Sequence, residues 1–123
     1  MDIVIYGDPR TKKNSSRIIR KDGRFFVIPS KAYSEYEKAF LWQCETAGII
    51  DKKIDKACNI KCIYYMKTKR KVDLTNLLSG TMDCLVRAGV IDDDNCKIAA
   101  SHDGSRVYYD KENPRVEIYI EEL

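Results

Sequence analysis

Several short segments alternate apolar and polar residues, which is the pattern of β-strands with one buried face. The pattern predicts single strands over residues 2–6, 56–66, 96–101 and 115–121. Two further strands flank Asp22-Gly23 within residues 17–28. Because an Asp-Gly pair tolerates the positive φ angles of a tight turn, these two strands are expected to form a β-hairpin.

Two other segments carry apolar residues at helical spacing. The first begins after Ser30, a predicted N-cap, and ends at Gly48. The second covers residues 76–88, with Thr75 as the predicted N-cap and Gly89 as the terminating residue. Its apolar face is opposed by a small polar face made of Asn76, Ser79, Gly80, Asp83 and Arg87.

The order β-(ββ)-α-β-α-β-β predicts an α+β fold, in which two main helices pack on one face of a mixed β-sheet. A chain of 123 residues fits one domain, so residues 1–123 are treated as a single unit. No stretch approaches the roughly 18 apolar residues that span a bilayer, and the N-terminus does not resemble a signal peptide. We therefore expect a cytoplasmic protein.

The remaining aromatic, cysteine and histidine residues favour structural roles. Five cysteines without a C-x-x-C pair indicate small core residues rather than disulfides or a zinc site. Trp42, Tyr33 and Tyr36 fall at helical spacing and are expected in the core. His102 lacks a second histidine at ligand spacing, so a surface or hydrogen-bonding role is expected.

Charge is distributed unevenly along the chain, although the net charge is only +3. Residues 1–31 hold eight Lys and Arg against three Asp, and residues 67–71 add four more cations. Three consecutive carboxylates follow at Asp92, Asp93 and Asp94. Such a distribution suits a protein that contacts phosphates and holds a divalent cation, and solvated loops are the open alternative.

Clustered carboxylates repel one another and are favoured where a hard cation offsets the repulsion. Asp73 precedes the second helix and Asp92 to Asp94 follow it, at opposite ends of a helix about 20 Å long. They can meet only through a loop that folds back or through a neighbouring subunit. Asp83, on the polar face, extends this array or accepts hydrogen bonds from the helix. Asp92 is the expected solvated turn residue.

Two segments carry a resemblance to a known family. They are Lys71-Val-Asp73-Leu-Thr-Asn76-Leu-Leu with Asp83 in the following helix, and Ala88-Gly-Val-Ile-Asp-Asp93-Asp94 before a strand. Together they resemble the D-L-D-N-L-x-K, helical D-x-L and D-D pattern of the RusA family of Holliday-junction resolvases. The resemblance implies a small homodimeric α+β endonuclease that binds four-way DNA junctions and makes paired symmetric incisions with Mg²⁺.

By position, the resemblance implies roles for particular residues. It assigns catalysis to Asp73, Asp93 and Asp94, which with Asp83 would hold Mg²⁺, with Mn²⁺ as an alternative ion. The residues expected to hold DNA phosphates around the branch are Lys12, Lys13, Arg17, Lys67, Lys69, Arg70 and Lys71, together with Asn76.

Two positions depart from the family pattern. Thr75 replaces the second aspartate and Ser79 replaces the lysine. Losing a carboxylate weakens a metal site, and losing the lysine removes a cation beside the scissile phosphate. A catalytically impaired junction-binding protein of the same fold therefore stays open as an alternative. A nuclease that acts on flaps or other branched DNA is a third possibility.

Overall fold

The computed structural model of the protein describes residues 1–12 and 16–123. Two α-helices and seven β-strands are described. In chain order they are β1 (Asp2–Tyr6), β2 (Ser16–Lys21), β3 (Arg24–Pro29), α1 (Lys31–Thr46), β4 (Cys58–Met66), α2 (Leu74–Arg87), β5 (Ala99–Ser101), β6 (Arg106–Tyr109) and β7 (Arg115–Glu122).

Five strands form a mixed sheet with β4 and β7 at its centre. The strand β7 pairs antiparallel with both β1 and β4. On the other edge of β4, the short strands β5 and β6 pair parallel to it, one after the other. The strands β2 and β3 form a separate two-stranded hairpin. This arrangement confirms the predicted α+β fold with a mixed sheet and two helices.

The core lies between the helices and one face of this sheet. Alternate residues of β4 are buried, from Cys58 to Tyr64. The hydroxyl of Tyr64 lies 2.7 Å from that of Thr81 on α2. The hydroxyl of Tyr33 on α1 donates to the backbone oxygen of Gly80 at 3.3 Å. Gly80 is therefore a buried contact between the helices, and its predicted place on the polar face is wrong.

The hairpin forms as the Asp-Gly pair predicts. Asp22 and Gly23 adopt φ angles of 54° and 74°, and β2 pairs antiparallel with β3. Two strand predictions need correction. The segment 96–98 is not strand but part of a turn. The carbonyl oxygen of Asn95 closes this turn by accepting the backbone N–H groups of Ile98 and Ala99. The strand β6 was not predicted, since its four residues are mostly exposed and lack alternation.

The cap of α2 also differs from the prediction. Asp73, rather than Thr75, is the N-cap residue, and its side chain accepts the backbone N–H of Thr75. Helix α1 does begin after Ser30, whose hydroxyl accepts the backbone N–H of Tyr33.

Two side chains predicted in the core are on the surface. Trp42 is 65% exposed because it follows Phe40, in the buried stripe of α1, by two residues and so points away from the sheet. Cys96 is exposed in the turn before β5, whereas the other four cysteines are buried. Within the described ranges, none of the helices has the length and apolar character needed to cross a membrane.

Candidate active site and nucleic-acid interface

The first turn of α2 fixes the carboxylate of Asp73. Its Oδ1 atom accepts the backbone N–H of Thr75 at 3.0 Å and the Thr75 hydroxyl at 2.7 Å. The first bond caps the helix start, where free N–H groups favour negative charge, and the second is an additional side-chain bond that orients the carboxylate. The position of Asp73 is therefore tied to that of Thr75.

The chain folds back along α2 after the helix ends. Gly89 adopts a φ angle of 73°, and Ile91 then forms a parallel bridge with Ile54. The backbone N–H of Asp92 donates to the Ile54 carbonyl at 2.9 Å, while the Asp92 side chain is exposed, as expected for a turn residue. A Cβ atom at Gly89 would approach the backbone nitrogen of Asp51 to 3.1 Å. A glycine at this position thus permits the sharp return of the chain.

Asp93 closes the turn that presents Asp94. The Oδ1 atom of Asp93 accepts the backbone N–H of Asp94 at 2.7 Å, and its Oδ2 atom accepts the side-chain amide of Asn95 at 3.1 Å. These hydrogen bonds stabilise the charged carboxylate and lower the pKa of Asp93.

Asp94 lines two neighbouring clefts beside α2. One is a cleft of about 290 Å³, named here the Asp94 cleft, whose other lining residues are Thr75, Leu78, Ser79, Met82 and His102. The second, of about 250 Å³, is also lined by Lys12, Glu37, Asp83, Val86 and Arg87. The loop after α2 thus folds back so that Asp94 lines the same cleft as Thr75, the residue that donates two hydrogen bonds to Asp73.

The electrostatic surroundings of Asp94 oppose its ionisation. Partial burial of the carboxyl, then the hydrogen bond and negative charge of Asp93, and to a smaller extent the charge of Asp83, raise the pKa of Asp94. A bound cation would relieve this repulsion.

Asp83 is already beside a cation of the chain itself. The Nζ atom of Lys12 lies 3.7 Å from Asp83 Oδ2, and Arg87 Nε lies 3.4 Å from Glu37 Oε1. The second cleft therefore has its carboxylates partly neutralised by a lysine and an arginine. The predicted DNA contact Lys12 and the predicted metal ligand Asp83 are direct neighbours.

The carboxylates near α2 suit a metal ion that keeps most of its water ligands better than one bound entirely by protein side chains. In the part of the chain that the structure describes, no group of three or more His, Cys, Asp or Glu side chains is arranged to hold a metal ion. Mg²⁺ retains several waters and is commonly held by one or two carboxylates and a substrate phosphate. The carboxylate of Asp94, with the negative charges of Asp93 and Asp83 nearby, is compatible with that mode of binding.

The basic segment 67–71 leads directly into Asp73. Its start is anchored where the backbone N–H of Lys67 donates to Asp8 Oδ1 at 3.0 Å. The ammonium of Lys69 lies 5.1 Å from the centre of the Tyr109 ring, and Arg70 and Lys71 are exposed. These cations lie next to the start of α2, on the chain that delivers Asp73.

The other predicted DNA contacts are placed less fully. Asn76 is half-buried in the first turns of α2. Lys13 and the side chain of Arg17 lie outside the described residues.

Two features near these residues were not predicted from the sequence, namely the place of His102 and an exposed tyrosine pair. His102 lines the Asp94 cleft, and the exposed Tyr108 and Tyr109 lie at the end of β6. Tyr108 stacks on Tyr65 at a centroid distance of 5.6 Å, and the Arg115 guanidinium lies 3.8 Å above the Tyr65 ring. The Tyr-Tyr pair was a usable signal, since aromatic side chains beside basic ones are typical of nucleic-acid surfaces.

Comparison with known proteins identifies a family. Residues 7–121 match the family model described as "Endodeoxyribonuclease RusA". A search of the curated proteins finds no match to this chain.

Proposed function

Because the chain belongs to the RusA endodeoxyribonuclease family, we propose that it resolves four-way DNA junctions by Mg²⁺-dependent, paired symmetric incisions. Family membership covers residues 7–121 and supports a hydrolase of DNA phosphodiester bonds. The choice of substrate, the metal ion and the pairing of the incisions are the proposed part.

One observation carries the proposal. The loop after α2 places Asp94 in a cleft with Thr75, whose hydroxyl and backbone N–H hold Asp73. The exposed basic segment 67–71 enters the same helix start. A phosphate bound by this segment would therefore approach carboxylates placed to bind a divalent ion.

In this proposal, Asp94 and Asp73 hold the ion and Asp93 acts with them. The carboxylate of Asp93 fixes the turn that presents Asp94 and keeps acceptor capacity for a metal-bound water. Asp83 would join the metal site when Lys12 turns to a DNA phosphate, because their ion pair is long and partly exposed. When bound, Mg²⁺ supplies a water of lowered pKa and neutralises charge on the phosphate.

The DNA contacts are proposed to be contacts to phosphates. Their members are Lys12, Lys13, Arg17, Lys67, Lys69, Arg70 and Lys71, with Asn76 at the helix start. Lysine and arginine contacts to phosphates position a protein on DNA and carry no sequence information directly. Binding should therefore depend on branch structure and ionic strength more than on base sequence.

Paired symmetric incisions require two active sites, and we propose a homodimer that uses the β2–β3 hairpin. The register of the hairpin places Ile18 opposite Val27 and Arg20 opposite Phe25 on one face. Ile18, Val27 and Phe25 are each more than 70% exposed. A two-stranded hairpin is marginally stable unless its apolar side is covered, so a second copy of this face is the proposed cover.

The central experiment compares Asp94→Asn with Asp92→Asn on a labelled mobile four-way junction in Mg²⁺ or Mn²⁺. Both variants remove one charge from the same run of aspartates, but only Asp94 lines the cleft. We expect paired nicks with the natural chain and with Asp92→Asn, and a loss of at least about 100-fold with Asp94→Asn, a typical loss for an electrostatic catalytic group. Cleavage by Asp94→Asn at the rate of the natural chain would refute a role for Asp94.

Asp73→Asn is a further test within the same assay. Asparagine can cap a helix as well as aspartate does, so the helix start is kept while the charge is removed. Loss of cleavage with retained junction binding is the expected result. Unchanged cleavage would remove Asp73 from the metal site.

A second candidate function is junction binding without cleavage. Residue 75 favours it, because the family pattern has a second aspartate there and this chain has a threonine. The Thr75 hydroxyl also donates a hydrogen bond to Asp73 Oδ1, which uses part of that oxygen's acceptor capacity. Tight, salt-sensitive junction binding by the natural chain, with no nicks in either ion, would establish this function instead.

A further inference from the structure

His102 is the single histidine of the chain, and it lines the Asp94 cleft. It follows β5 directly and is half-buried. The cleft also holds Thr75 and Ser79, so one imidazole, one carboxylate and two hydroxyl-bearing side chains share about 290 Å³.

The backbone around His102 is held firmly by Asn59 on β4. The Oδ1 atom of Asn59 accepts the Ser101 hydroxyl at 2.6 Å and the backbone N–H of Asp103 at 2.7 Å. Its amide donates back to the Asp103 carbonyl at 3.1 Å. Both neighbours of His102 are therefore fastened to the central strand.

The ring of His102 is fixed as well, and this fixes its tautomer. Nδ1 lies 2.9 Å from the backbone oxygen of Ile60, a fully buried residue of β4. A carbonyl oxygen only accepts hydrogen bonds, so Nδ1 carries the proton and donates it. In the neutral ring, Nε2 then holds a lone pair. Among the described residues, Nε2 makes no hydrogen bond.

A histidine held through Nδ1 in this way keeps the Nε2 lone pair that a metal ligand needs. Metal-binding histidines commonly donate one ring N–H to a backbone carbonyl or carboxylate, which orients the other nitrogen toward the metal. We propose that Nε2 of His102 is a ligand of the divalent cation bound at Asp94, an inference that rests on the proposed function. Imidazole prefers Co²⁺ and Zn²⁺ to Mg²⁺, so the site would bind these ions through one nitrogen and one carboxylate.

A metal ligand and a purely structural histidine differ in which ring nitrogen they use. A structural histidine would need only its Nδ1–H bond to Ile60. The proposal instead requires the far nitrogen, Nε2, which contributes nothing to that bond.

His102→Asn is the decisive variant. The asparagine amide nitrogen can occupy the place of Nδ1 and keep the donor to Ile60, whereas no atom replaces Nε2. His102→Gln is the complementary variant, since its amide reaches the place of Nε2 but leaves the Ile60 carbonyl. Thermal unfolding of both variants checks that the fold is kept.

The first measurement is the ¹⁵N spectrum of the single imidazole during titration with Zn²⁺. All samples carry Cys96→Ser, because Cys96 is the exposed cysteine and thiolates bind zinc. We expect the Nε2 resonance to shift on metal addition while Nδ1 remains protonated. We expect Asp94→Asn to weaken the response and Asp92→Asn to leave it unchanged.

The second measurement is Co²⁺ and Zn²⁺ affinity by calorimetry. His102→Asn should weaken both affinities by at least about tenfold, in line with the loss seen when metal-site groups are altered. An Nε2 resonance unmoved at saturating metal, or an unchanged affinity in His102→Asn, would overturn the proposal. If the natural chain still cleaves junctions in Mg²⁺, the proposed nuclease function would stand without the His102 ligand. If instead the Nε2 resonance shifts but no junction is cleaved, the metal site would stand and the proposed nuclease function would be refuted.

Discussion

At the start of α2, the hydroxyl of Thr75 donates a hydrogen bond to Asp73 Oδ1 at 2.7 Å. The bond orients a carboxylate proposed as a metal ligand, and it also uses one of that carboxylate's oxygens as an acceptor. Position 75 therefore influences the site in two opposite ways. It preorganises Asp73, and it contributes no charge where the family pattern has an aspartate.

Restoring a carboxylate at this position should strengthen metal binding. In Thr75→Asp, a second negative charge would face the Asp94 cleft, which Thr75 lines. We expect the Mg²⁺ concentration for half-maximal junction cleavage to fall several-fold, since cation sites tighten with the charge of their ligands. Cleavage rate against Mg²⁺ concentration is the measurement.

Thr75→Val is the matched control for that change. It keeps the β-branched shape and removes the hydroxyl that orients Asp73. Its half-saturating Mg²⁺ concentration should rise or stay the same. A rise with Thr75→Asp as well would show that the added charge lies outside the metal site.

Removing the cations of the segment 67–71 should weaken DNA binding in a salt-dependent way. In the triple variant Lys69→Ala, Arg70→Ala, Lys71→Ala, each lost phosphate contact should reduce the slope of log affinity against log salt by roughly 0.9. Junction binding by fluorescence anisotropy at several salt concentrations measures the slope.

Lys52→Ala with Lys56→Ala serves as the control for charge alone. These exposed lysines precede β4, whereas residues 67–71 follow it, so the strand's nine residues separate them by about 30 Å. We expect the control to keep the natural slope. Equal slope changes in both variants would mean that the basic segment has no special role.

The proposed homodimer interface on the β2–β3 hairpin can be tested with a single charge. Val27→Lys places a charge among the exposed apolar side chains of that face. We expect the natural chain to sediment as a dimer and Val27→Lys to sediment as a monomer. Trp42→Lys changes a comparably exposed apolar residue on α1 and should leave the dimer intact. A dimeric Val27→Lys variant would place the interface elsewhere.

The regular parts of the fold were predictable because their signals are local. Alternation along β1 and β7 and the Asp-Gly turn each act within a few residues, and the structure has all three. The strand β6 and the shortening of β5 depend on pairing with β4 and on a turn closed by the Asn95 carbonyl, which are not local patterns. Trp42 was misplaced because spacing alone did not settle its side of α1.

The sequence proposes the residues of the candidate site, and their roles stay predictions, but it does not give the geometry of the site. Spacing placed Asp73 and Asp94 at opposite ends of α2, and only the return of the chain after Gly89 brings Asp94 to Thr75. His102 was given a surface or hydrogen-bonding role, and it does hydrogen-bond to Ile60. Its place in the cleft depends on tertiary contacts with β4, for which a lone histidine gives no sequence signal.

Two buried tyrosines should respond oppositely to loss of their hydroxyls. The hydroxyl of Tyr64 pairs with that of Thr81, which is 3% exposed, so Tyr64→Phe leaves a buried hydroxyl unpaired. The expected cost in unfolding free energy is about 1–2 kcal/mol. Among the described residues, the buried Tyr36 hydroxyl has no hydrogen-bond partner, so Tyr36→Phe should be neutral or stabilising. Urea unfolding of both variants measures this, and a larger loss for Tyr36→Phe would contradict the assignment.

Buried thiols should make the fold sensitive to alkali. Burial raises the pKa of both Cys62 and Cys84 from 9.0 to about 12. The folded state thus keeps protons that the unfolded chain releases near pH 9, so this stability is present below pH 9 and is lost as pH rises toward 12. From pH 9 to 10, each thiol should lower the unfolding free energy by about 1 kcal/mol. Urea unfolding under reducing conditions measures the loss, which should be smaller in Cys62→Ala because alanine does not ionise. A loss unchanged by that substitution would assign the alkaline sensitivity to other groups.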